Sequence, residues 1–495
     1  MKTKNILSSL RTTTFSVVLC VGLGAVLQAQ TYIQLHSFPS TSSDGYAPAA
    51  DLVLGGNTLF GTTPSGGRGG NGTIFSINTD GSAYTILKNF TNTDGANPES
   101  GLVLNNGVLY GTTQNGGDAF QSGAVFKVNT NGSGFMVIKS FPAMNPTTIG
   151  TNSDGAQPRG TLVSDGNALF GTASMGGAAG SGTIFKINLS GWGFTVLKTF
   201  PPTFQGTNNV SGNILVHGTN VDGARPVAGL LLAGNTLYGT TFYGGMYSNG
   251  VVYKIDTDGS GFAVIKNFSG LVCPSGIPYG TNSDGANPRA ALALSGDTLY
   301  GMTVNGGNLF DGTIFKLKTN GTDFAVLKNY YNVDGAWPYN ALLVDGQTLY
   351  GSTVGGGDTN KGVVFKTFID GSNYTVLKNL NPVDGFYCYS KLVLSSNQLF
   401  GTTYYGGTNN GGVVFSLTVP PQILTGDGNL DIQAYAFGFN VTGVSNQTAV
   451  VEACSDLLSA SWLPIQTNNL NGGPVYFSDP QWTNYSGRFY RLRSP

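Results

Sequence analysis

Residues 237–245, which read Leu-Tyr-Gly-Thr-Thr-Phe-Tyr-Gly-Gly, decide the fold of this chain. The pattern occurs seven times: an aromatic residue, a glycine, a short polar strand, and a Gly-Gly pair that starts six positions after the aromatic. The aromatic residues are Phe60, Tyr110, Phe170, Tyr238, Tyr300, Tyr350 and Phe400. An Asp-Gly pair begins sixteen residues before each of them, at Asp44, Asp94, Asp154, Asp222, Asp284, Asp334 and Asp384. Because the spacing never changes, the chain is a seven-unit repeat protein.

Each repeat has the length and pattern of one small antiparallel sheet. In residues 96–141, four short apolar or aromatic segments are separated by turns rich in Asn and Gly. Such turns supply positive φ angles and are typical of β-hairpins. A period of about 50 residues without helical periodicity is the size of a four-stranded propeller blade. The sequence therefore predicts an all-β fold, a seven-bladed β-propeller.

The ends of the repeat region predict how such a ring would close. The seventh repeat stops at Pro420-Pro421 without a fourth segment. A matching segment lies at the other end, because residues 32–38 (Tyr-Ile-Gln-Leu-His-Ser-Phe) parallel residues 84–90 (Tyr-Thr-Ile-Leu-Lys-Asn-Phe) and precede the first Asp-Gly pair. We expect this N-terminal strand to complete the seventh blade, which would remove an exposed sheet edge.

The propeller is assigned to residues 31–418, and the segment before it has the pattern of a secretory signal. Residues 1–29 combine three basic residues, a largely apolar run and the small residue Ala29 as a cleavage point. The sequence therefore predicts an exported protein, secreted or held at the cell surface. No later segment approaches the length of an apolar membrane span.

Residues 422–495 form a separate region in which the repeat is absent. Alternating apolar and polar stretches are divided by Asn, Gly, Ser and Pro, which predicts a small β-sandwich, Ig- or fibronectin-like. Trp462 and Trp482 are the candidates for its core. A sorting or attachment module and a simple spacer are equally compatible with this region.

Charge and cysteine content limit the partners. The chain has 24 Lys and Arg against 25 Asp and Glu, so it has no concentrated basic surface for nucleic acid. Of the four cysteines, Cys20 lies in the signal segment, and three make no disulfide framework. Cys273 and Cys388 fall in connections two apart, so we expect free thiols. We also expect a monomer.

A family resemblance follows from the repeat itself. The unit Leu-Tyr-Gly-Thr-Thr, two residues, Gly-Gly, and then Gly-Val-Val-Phe or Gly-Thr-Ile-Phe-Lys resembles the GloVer (Gloeo_Verruco) tandem repeat of exported bacterial proteins. The match covers about residues 31–418. It implies a secreted or surface location, with no assigned chemistry. Departures from the pattern are Ala173, Met302, Ser352, and Cys388 where the other six copies have proline.

The sequence offers no clear catalytic constellation. The only histidines are His36 and His217, so neither a catalytic triad nor a histidine metal site can be assembled. The Asp-Gly pairs recur in every repeat, which favours a turn-stabilising role in which the glycine accepts positive φ. A glycosidase would need two carboxylates singled out at a cleft, and no such pair stands out. We therefore predict no catalytic residue, no cofactor and no metal.

Aromatic residues on one face are the remaining signal. Links between a fourth segment and the next Asp-Gly pair are long after Phe141, Phe200 and Phe268, and variable loops on a rigid scaffold usually hold function. Exposed aromatics there suit stacking on sugars, although packing between blades is the alternative for each of them. The ligand-binding candidates are Tyr46, Phe242, Tyr243, Trp337, Phe386, Tyr387, Tyr404 and Tyr405. Those of the seventh repeat, with Tyr389, are expected to converge.

These features favour a non-catalytic exported repeat protein that binds a glycan or another surface polymer through the loop face. Its partners would be polysaccharide or envelope proteins. Two alternatives remain: an extracellular polysaccharide hydrolase or lyase, and a purely structural cell-envelope protein. A shallow face without paired acids favours binding, whereas a deep central pocket with two converging acids favours an enzyme.

Overall fold

The structure is a computed structural model that describes residues 16–19, 30–40, 43–147, 150–204, 218–272, 280–424, 431–433, 436–456, 461–485 and 487–494. The chain divides into two compact units, Tyr32–Leu417 with the repeats, and Thr418–Pro495 with the residues up to Thr31. The described part is built of β-strands and contains no α-helix, only short 3-10 turns at Asn332–Asp334 and Trp482–Asn484. The predicted all-β class is confirmed.

Each repeat forms one four-stranded antiparallel sheet. We number the repeats 1 to 7 by their Asp-Gly pairs and call their strands first to fourth in chain order. In repeats 1 to 3 the strands are Val53–Gly55, Thr58–Thr63, Thr73–Asn78 and Thr85–Asn89; Val103–Asn105, Val108–Thr113, Ala124–Asn129 and Met136–Ser140; Val163–Ser164, Ala168–Ala173, Thr183–Asn188 and Thr195–Thr199. In repeats 4 to 6 they are Leu231–Ala233, Thr236–Thr241, Val251–Asp256 and Ala263–Asn267; Ala293–Ser295, Thr298–Thr303, Thr313–Lys318 and Ala325–Asn329; Leu343–Asp345, Thr348–Ser352, Val363–Phe368 and Thr375–Asn379.

Repeat 7 takes its fourth strand from the N-terminus. Its own strands are Val393–Ser395, Gln398–Thr403 and Asn410–Thr418. The strand Tyr32–Pro39 pairs antiparallel with Asn410–Thr418, with Tyr32 opposite Leu417 and Ser37 opposite Val413. The described chain thus holds seven four-stranded sheets of the same strand order in this unit.

The aromatic-Gly pair of the second strand has a packing cause. Gly61 lies beneath the ring of Phe75 from the third strand, and a Cβ atom at Gly61 would meet Phe75 Cζ at 2.5 Å. A larger residue would displace this ring from the core, where Phe75 is fully buried. The glycine is therefore required wherever the third strand has an aromatic residue at this position.

Neighbouring sheets share apolar clusters. Phe60 and Phe90 of repeat 1 pack in one cluster with Leu102 and Phe126 of repeat 2. The same kind of cluster joins the first and last repeats. Leu52 and Phe75 of repeat 1 pack with Phe400 of repeat 7 and with Phe38 of the N-terminal strand. The repeats are therefore held together by side chains from the faces of adjacent sheets.

The Asp-Gly pairs combine a turn with an ion pair that the sequence analysis missed. The Asp94 carboxylate accepts a hydrogen bond from Thr91 N at 2.8 Å, and all seven glycines have φ between 86° and 134°. Six of the aspartates also pair with a lysine of the preceding fourth strand, at 2.5 to 2.6 Å in five cases. The pairs are Lys88–Asp94, Lys139–Asp154, Lys198–Asp222, Lys266–Asp284, Lys328–Asp334 and Lys378–Asp384.

The seventh aspartate has a histidine in place of lysine. His36 Nε2 lies 3.8 Å from an Asp44 carboxylate oxygen, and the imidazole stacks on the Tyr84 ring with centroids 3.8 Å apart. In the other repeats, a lysine lies over the equivalent aromatic ring, as Lys139 does over Phe194 at 4.3 Å. The Asp-Gly pairs therefore have a structural role, in which the cation is held between a carboxylate and a ring.

The second unit has two sheets around one core. The sheets comprise Ser16–Leu19, Gly487–Arg493, Thr448–Cys454 and Leu463–Asn469, and Gln422–Leu424, Ala436–Thr442, Asp431–Gln433 and Val475–Asp479. Trp482 packs in the core with Phe437 and Tyr490. The expectation for Trp462 was wrong, because its ring is partly exposed and the Arg491 guanidinium lies over it at 4.4 Å.

Several predicted features lie outside the described residues. Of the predicted signal segment, only Ser16–Leu19 is described inside residues 1–29, as a strand that pairs in parallel with Gly487–Arg493. His217 and Cys273 are also outside the described part. Among the described residues, no helix has the length and apolar character needed to cross a membrane.

Candidate functional site

A tight turn places the start of each first strand. The residue three positions after the aspartate of each Asp-Gly pair has a left-handed φ of 54° to 60°. In repeat 2 this residue is Asn97, whose N–H donates to Asn71 O of repeat 1 at 2.9 Å and whose carbonyl accepts from Gln114 N at 3.0 Å. The equivalent residues are Ala47, Asn97, Gln157, Arg225, Asn287, Trp337 and Tyr387.

The equivalent backbone hydrogen bond joins repeat 1 to repeat 7. Ala47 N donates to Gly411 O of repeat 7 at 2.7 Å. Each turn is therefore held by a backbone hydrogen bond to the segment at or just before the start of the third strand of another repeat. This bond fixes the backbone from which the two following residues extend. A left-handed conformation in non-glycine residues is uncommon and is often found at functional sites.

The residues just after these turns surround one cavity of about 480 Å³. This volume lies within the range of about 300 to 1,000 Å³ that is usual for small-ligand sites. All seven repeats contribute the same position to the lining, the residue after the turn proline or, in repeat 7, after Cys388. The seven residues are Ala49, Glu99, Arg159, Val227, Arg289, Tyr339 and Tyr389.

Glu99 and Arg159 form the first polar group of the cavity. Arg159 Nε lies 3.8 Å from Glu99 Oε2. Gln114 bridges them: in the orientation that satisfies both partners, its Nε2 donates to Glu99 Oε1 at 2.8 Å and its Oε1 accepts from Arg159 Nε at 3.2 Å. The Glu99 carboxylate and the Arg159 guanidinium are therefore paired, directly and through Gln114.

A second carboxylate, Asp51, also lines the cavity. Asp51 Oδ1 accepts a hydrogen bond from Lys391 N at 2.7 Å, and Oδ2 accepts from Thr161 Oγ1 at 3.2 Å. These bonds link repeats 1, 7 and 3. No pair of carboxylates stood out in the sequence, whereas the structure places Asp51 and Glu99 at one cavity, where both accept hydrogen bonds from protein donors.

Arg289 is the second cation of the cavity. Its guanidinium lies over the Tyr339 ring, with Cζ 4.7 Å from the centroid. Burial lowers the pKa of Arg289, and the nearby Arg159 acts in the same direction, while Tyr339 and Glu99 oppose it. The guanidinium therefore lies in a place where its charge is poorly solvated.

Tyrosines of repeats 6 and 7 form a connected aromatic wall. Tyr339 meets Tyr389 edge to face at 5.4 Å, Tyr389 meets Tyr404 at 5.5 Å, and Tyr404 meets Tyr405 at 4.6 Å. Burial raises the pKa of Tyr389 to about 12 and also raises that of Tyr404. These hydroxyls therefore stay protonated at neutral pH and can donate hydrogen bonds.

The structure brings together part of the predicted aromatic set. Tyr387, Tyr404 and Tyr405 line the cavity. Phe386 packs against Tyr405 with centroids 5.8 Å apart, and the Lys361 amino group lies 4.7 Å from the Phe386 centroid. The predicted convergence of aromatics in repeat 7 is thus present, with Phe386 supporting the wall from behind Tyr405.

The other predicted aromatics do not line the cavity. Tyr46 packs against the apolar cluster shared by repeats 1 and 7. Trp337 is 41% exposed and lies against Gly355. Phe242 meets Tyr243 edge to face at 4.6 Å, and the exposed Arg225 lies over Tyr243 at 5.6 Å. For these four residues, packing within or between repeats, the alternative considered from the sequence, describes their contacts.

Cys388 replaces the turn proline of repeat 7. Its thiol is free and fully buried, and burial raises its pKa. The Cys388 carbonyl accepts a hydrogen bond from Asn340 Nδ2 at 3.2 Å, so a contact between repeats 6 and 7 is made at this position. Because Cys273 is not described, the absence of a disulfide between the two stays a prediction.

Sequence reasoning missed Asp51, Glu99, Arg159, Arg289 and Tyr339. A signal for them exists within the chain. The position after the turn proline, or after Cys388 in repeat 7, holds five residue types in seven repeats, while the turn proline and the second strand hardly change. This contrast marks Glu99, Arg159, Arg289 and Tyr339, but not Asp51. In the described part, no group of three His, Cys, Asp or Glu side chains is arranged to hold a metal ion.

Comparison with known proteins identifies the repeat. The Gloeobacter/Verrucomicrobia repeat matches residues 22–152 and 272–453, which is more than half of the chain. No curated protein matches the sequence. Among solved structures, that of a nidogen/laminin complex is similar at 14% identity, with a TM-score of 0.38, and covers 68% of this chain and 98% of that one.

Two further solved structures are similar. TolB from Acinetobacter baumannii is 12% identical, with a TM-score of 0.36, over 74% of this chain and 78% of that one. A puromycin-hydrolyzing peptidase of Mycobacterium tuberculosis is 11% identical, with a TM-score of 0.45, over 83% of this chain and 62% of that one. These identities and TM-scores are too low to imply a shared function.

Proposed function

This chain belongs to the Gloeobacter/Verrucomicrobia repeat family, and we propose that its seven sheets are the blades of a β-propeller closed by the strand Tyr32–Pro39. The bond from Ala47 N to Gly411 O supports this closure, because it repeats between repeats 1 and 7 the contact made between consecutive repeats. The cavity supports it too, since one equivalent residue of every repeat lines it. A ring is the simplest arrangement with both features.

The propeller binds a glycan or another surface polymer at this cavity, without catalysis. One observation is the main support: the position that lines the cavity varies among the repeats and holds Glu99, Arg159, Arg289, Tyr339 and Tyr389. Contacts between repeats alone would not require that the residue at this cavity-facing position differ in charge and size from repeat to repeat. Side chains that differ around a constant scaffold are instead expected of a binding site.

The chemistry of the wall suits a sugar. Tyr389, Tyr404 and Tyr405 offer ring faces and edges for stacking, together with hydroxyl donors. Arg159, Glu99 and Gln114 offer a polar network for sugar hydroxyls. An apolar surface beside fixed donors and acceptors is the usual composition of a site that orients a polar ligand.

Hydrolysis is the second candidate, because Asp51 and Glu99 line the same cavity. A glycosidase uses one carboxyl as acid and a second that attacks the sugar or activates water. Here the Asp51 carboxylate accepts hydrogen bonds from Lys391 N and Thr161 Oγ1. The Glu99 carboxylate pairs with Arg159 and accepts a hydrogen bond from Gln114. Because both carboxylates already accept protein donors, binding is favoured over catalysis.

The remaining regions complete the proposal. Residues 1–29 act as a signal peptide, so the mature protein lacks the outermost strand Ser16–Leu19 of one sheet and is secreted or displayed at the cell surface as a monomer. Residues 422–495 form a small β-sandwich, and its two sheets with a common core support this assignment. This module attaches the propeller to the envelope or spaces it from the surface.

A glycan array probed with the mature protein, combined with an assay for released reducing ends, tests the function. Binding to a defined glycan class without new reducing ends supports the proposal. Release of reducing ends would favour the hydrolase. A protein that is folded by circular dichroism and binds neither arrayed glycans nor insoluble cell-wall polysaccharide would contradict it.

A further inference from the structure

We propose that the cavity takes an acidic sugar, a uronic acid unit of a polysaccharide, and that Arg289 binds its carboxylate. This inference rests on the proposed binding function and specifies its ligand class. It starts from a difference between the two arginines of the cavity. Arg159 is paired with Glu99 and Gln114, whereas Arg289 has neither an ion pair nor a hydrogen bond to an acceptor among the described residues.

An unpaired guanidinium beside a cavity implies an anionic ligand. Burying a charge costs free energy unless it is paired, and the lowered pKa of Arg289 reports this cost. Its charged and titratable neighbours are Tyr339, Arg159, Glu99, Tyr389 and Tyr243, and the one acid among them already faces Arg159. Asp51, the other acid of the cavity, is not among these neighbours. A ligand carboxylate would supply the missing counter-charge.

The geometry favours a carboxylate attached to a sugar. A guanidinium presents a planar fork that matches a carboxylate with two parallel hydrogen bonds. The ring of Tyr339 fixes the guanidinium from one side at 4.7 Å and continues through Tyr389 into the aromatic wall. A pyranose that stacks on this wall would place a carboxylate on its ring close to Arg289.

The test compares an acidic saccharide with its neutral form. Isothermal titration would measure binding of galacturonate and hyaluronate oligosaccharides, and of galacturonate oligosaccharides whose carboxylates are methyl esters. We expect the mature protein to bind the acids at least about tenfold more tightly than the ester, as loss of a charge-assisted bond implies. The Arg289→Met variant should lose this preference, and Arg289→Lys should retain part of it. Arg225→Met is the matched control, because Arg225 lies over Tyr243 but outside the cavity lining.

The outcomes separate this inference from the proposed function. Equal binding of acid and ester, or a preference kept by Arg289→Met, would overturn the carboxylate assignment while leaving glycan binding intact. Binding of no glycan at all would contradict the proposed function itself. Should Arg289→Met fail to fold, a weaker preference in Arg289→Lys than in Arg225→Lys would support the assignment, and equal preferences in these two variants would overturn it.

Discussion

Tyr32 donates its phenolic hydrogen to the backbone carbonyl of Asp384 at 2.5 Å, and Tyr374 makes the same bond to Asp334 at 2.7 Å. Tyr374 directly precedes the fourth strand of repeat 6, Thr375–Asn379, whereas Tyr32 begins the N-terminal strand. A lysine of equivalent position lies over each ring: the Lys378 amino group is 5.1 Å from the centroid of Tyr32, and that of Lys328 is 4.7 Å from the centroid of Tyr374. The N-terminal strand therefore makes for repeat 7 the contacts that an internal fourth strand makes for its own sheet.

Deleting residues 32–38 should destabilise the whole repeat unit. The deletion removes the fully buried Phe38 and leaves Asn410–Thr418 as an unpaired edge. Loss of a buried aromatic alone costs about 3 to 5 kcal/mol. Urea unfolding should show a large fall in the free energy of unfolding. A truncated protein that unfolds like the mature form would contradict ring closure.

A smaller change tests the same contact with an internal control. Tyr32→Phe and Tyr374→Phe each remove one hydroxyl that donates to an aspartate carbonyl. Each should lower the free energy of unfolding by about 1 kcal/mol, as is typical for one hydrogen bond. A much smaller effect for Tyr32→Phe than for Tyr374→Phe would mean that the N-terminal strand is not part of the cooperative unit.

His36→Lys should remove an acid sensitivity. Burial lowers the pKa of His36 against the opposing effect of Asp44, so the unfolded chain takes up the proton more readily than the folded one. This contribution to stability is complete above the unfolded pKa of about 6.5 and is lost as pH falls through the folded pKa. Lysine stays charged and pairs with Asp44, so the variant should melt at a more constant temperature between pH 7 and 5.

The gain from His36→Lys at neutral pH should stay below about 1 kcal/mol, because the pair is partly exposed to solvent. Lys88→His is the reciprocal control, since Lys88 holds the equivalent place beside Asp94. It should introduce the acid sensitivity that the first substitution removes. Unchanged pH profiles in both variants would show that this position does not control stability at acid pH.

The effect of Lys366→Met on stability should depend on pH and should be most favourable at neutral pH. Burial lowers the pKa of Lys366 to about 8, because this side chain of the third strand is only 6% exposed. Between this value and the unfolded pKa of about 10.4, Lys366 is protonated in the unfolded chain but largely neutral in the folded one. The free energy of unfolding of the wild type therefore rises with pH in this range. The melting temperature of the variant minus that of the wild type should therefore fall from pH 7 to pH 10. A constant difference would mean that Lys366 titrates normally.

The repeat spacing was sufficient to predict the sheets, because each recurring residue has one local cause. Gly61 is needed under Phe75, and Gly45 follows Asp44 with a positive φ of 86°. The sequence also matched residues 32–38 to a fourth strand by their Tyr and Phe. It failed for Trp462, since size and hydrophobicity do not reveal that a cation such as Arg491 will cover a ring at the surface.

The site was only partly predictable, since its residues do not recur. Arg289 and Glu99 occupy equivalent positions yet differ in charge, so a search for repeated or paired residues passes over both. Exposed aromatics were easier to recognise, but sequence alone does not distinguish Tyr404, at the cavity, from Trp337, which packs on Gly355. The left-handed turn that directs these side chains is also hard to recognise without backbone angles, because six residue types adopt it in the seven repeats.

Replacing Tyr404 and Tyr405 together by alanine should abolish binding to insoluble polysaccharide or cell-wall material. Both line the cavity, and Tyr405 is 41% exposed, so its ring is available to a ligand. The melting temperature should change little, since a truncation costs about 3 to 5 kcal/mol only where the aromatic is buried. Trp337→Ala is the matched control: Trp337 is also 41% exposed but is not part of the lining, and its loss should leave binding intact. Pull-down and melting are measured on the same preparations. A double variant that melts much earlier and still binds would mean that these tyrosines pack the repeats together, and the site would have to lie elsewhere.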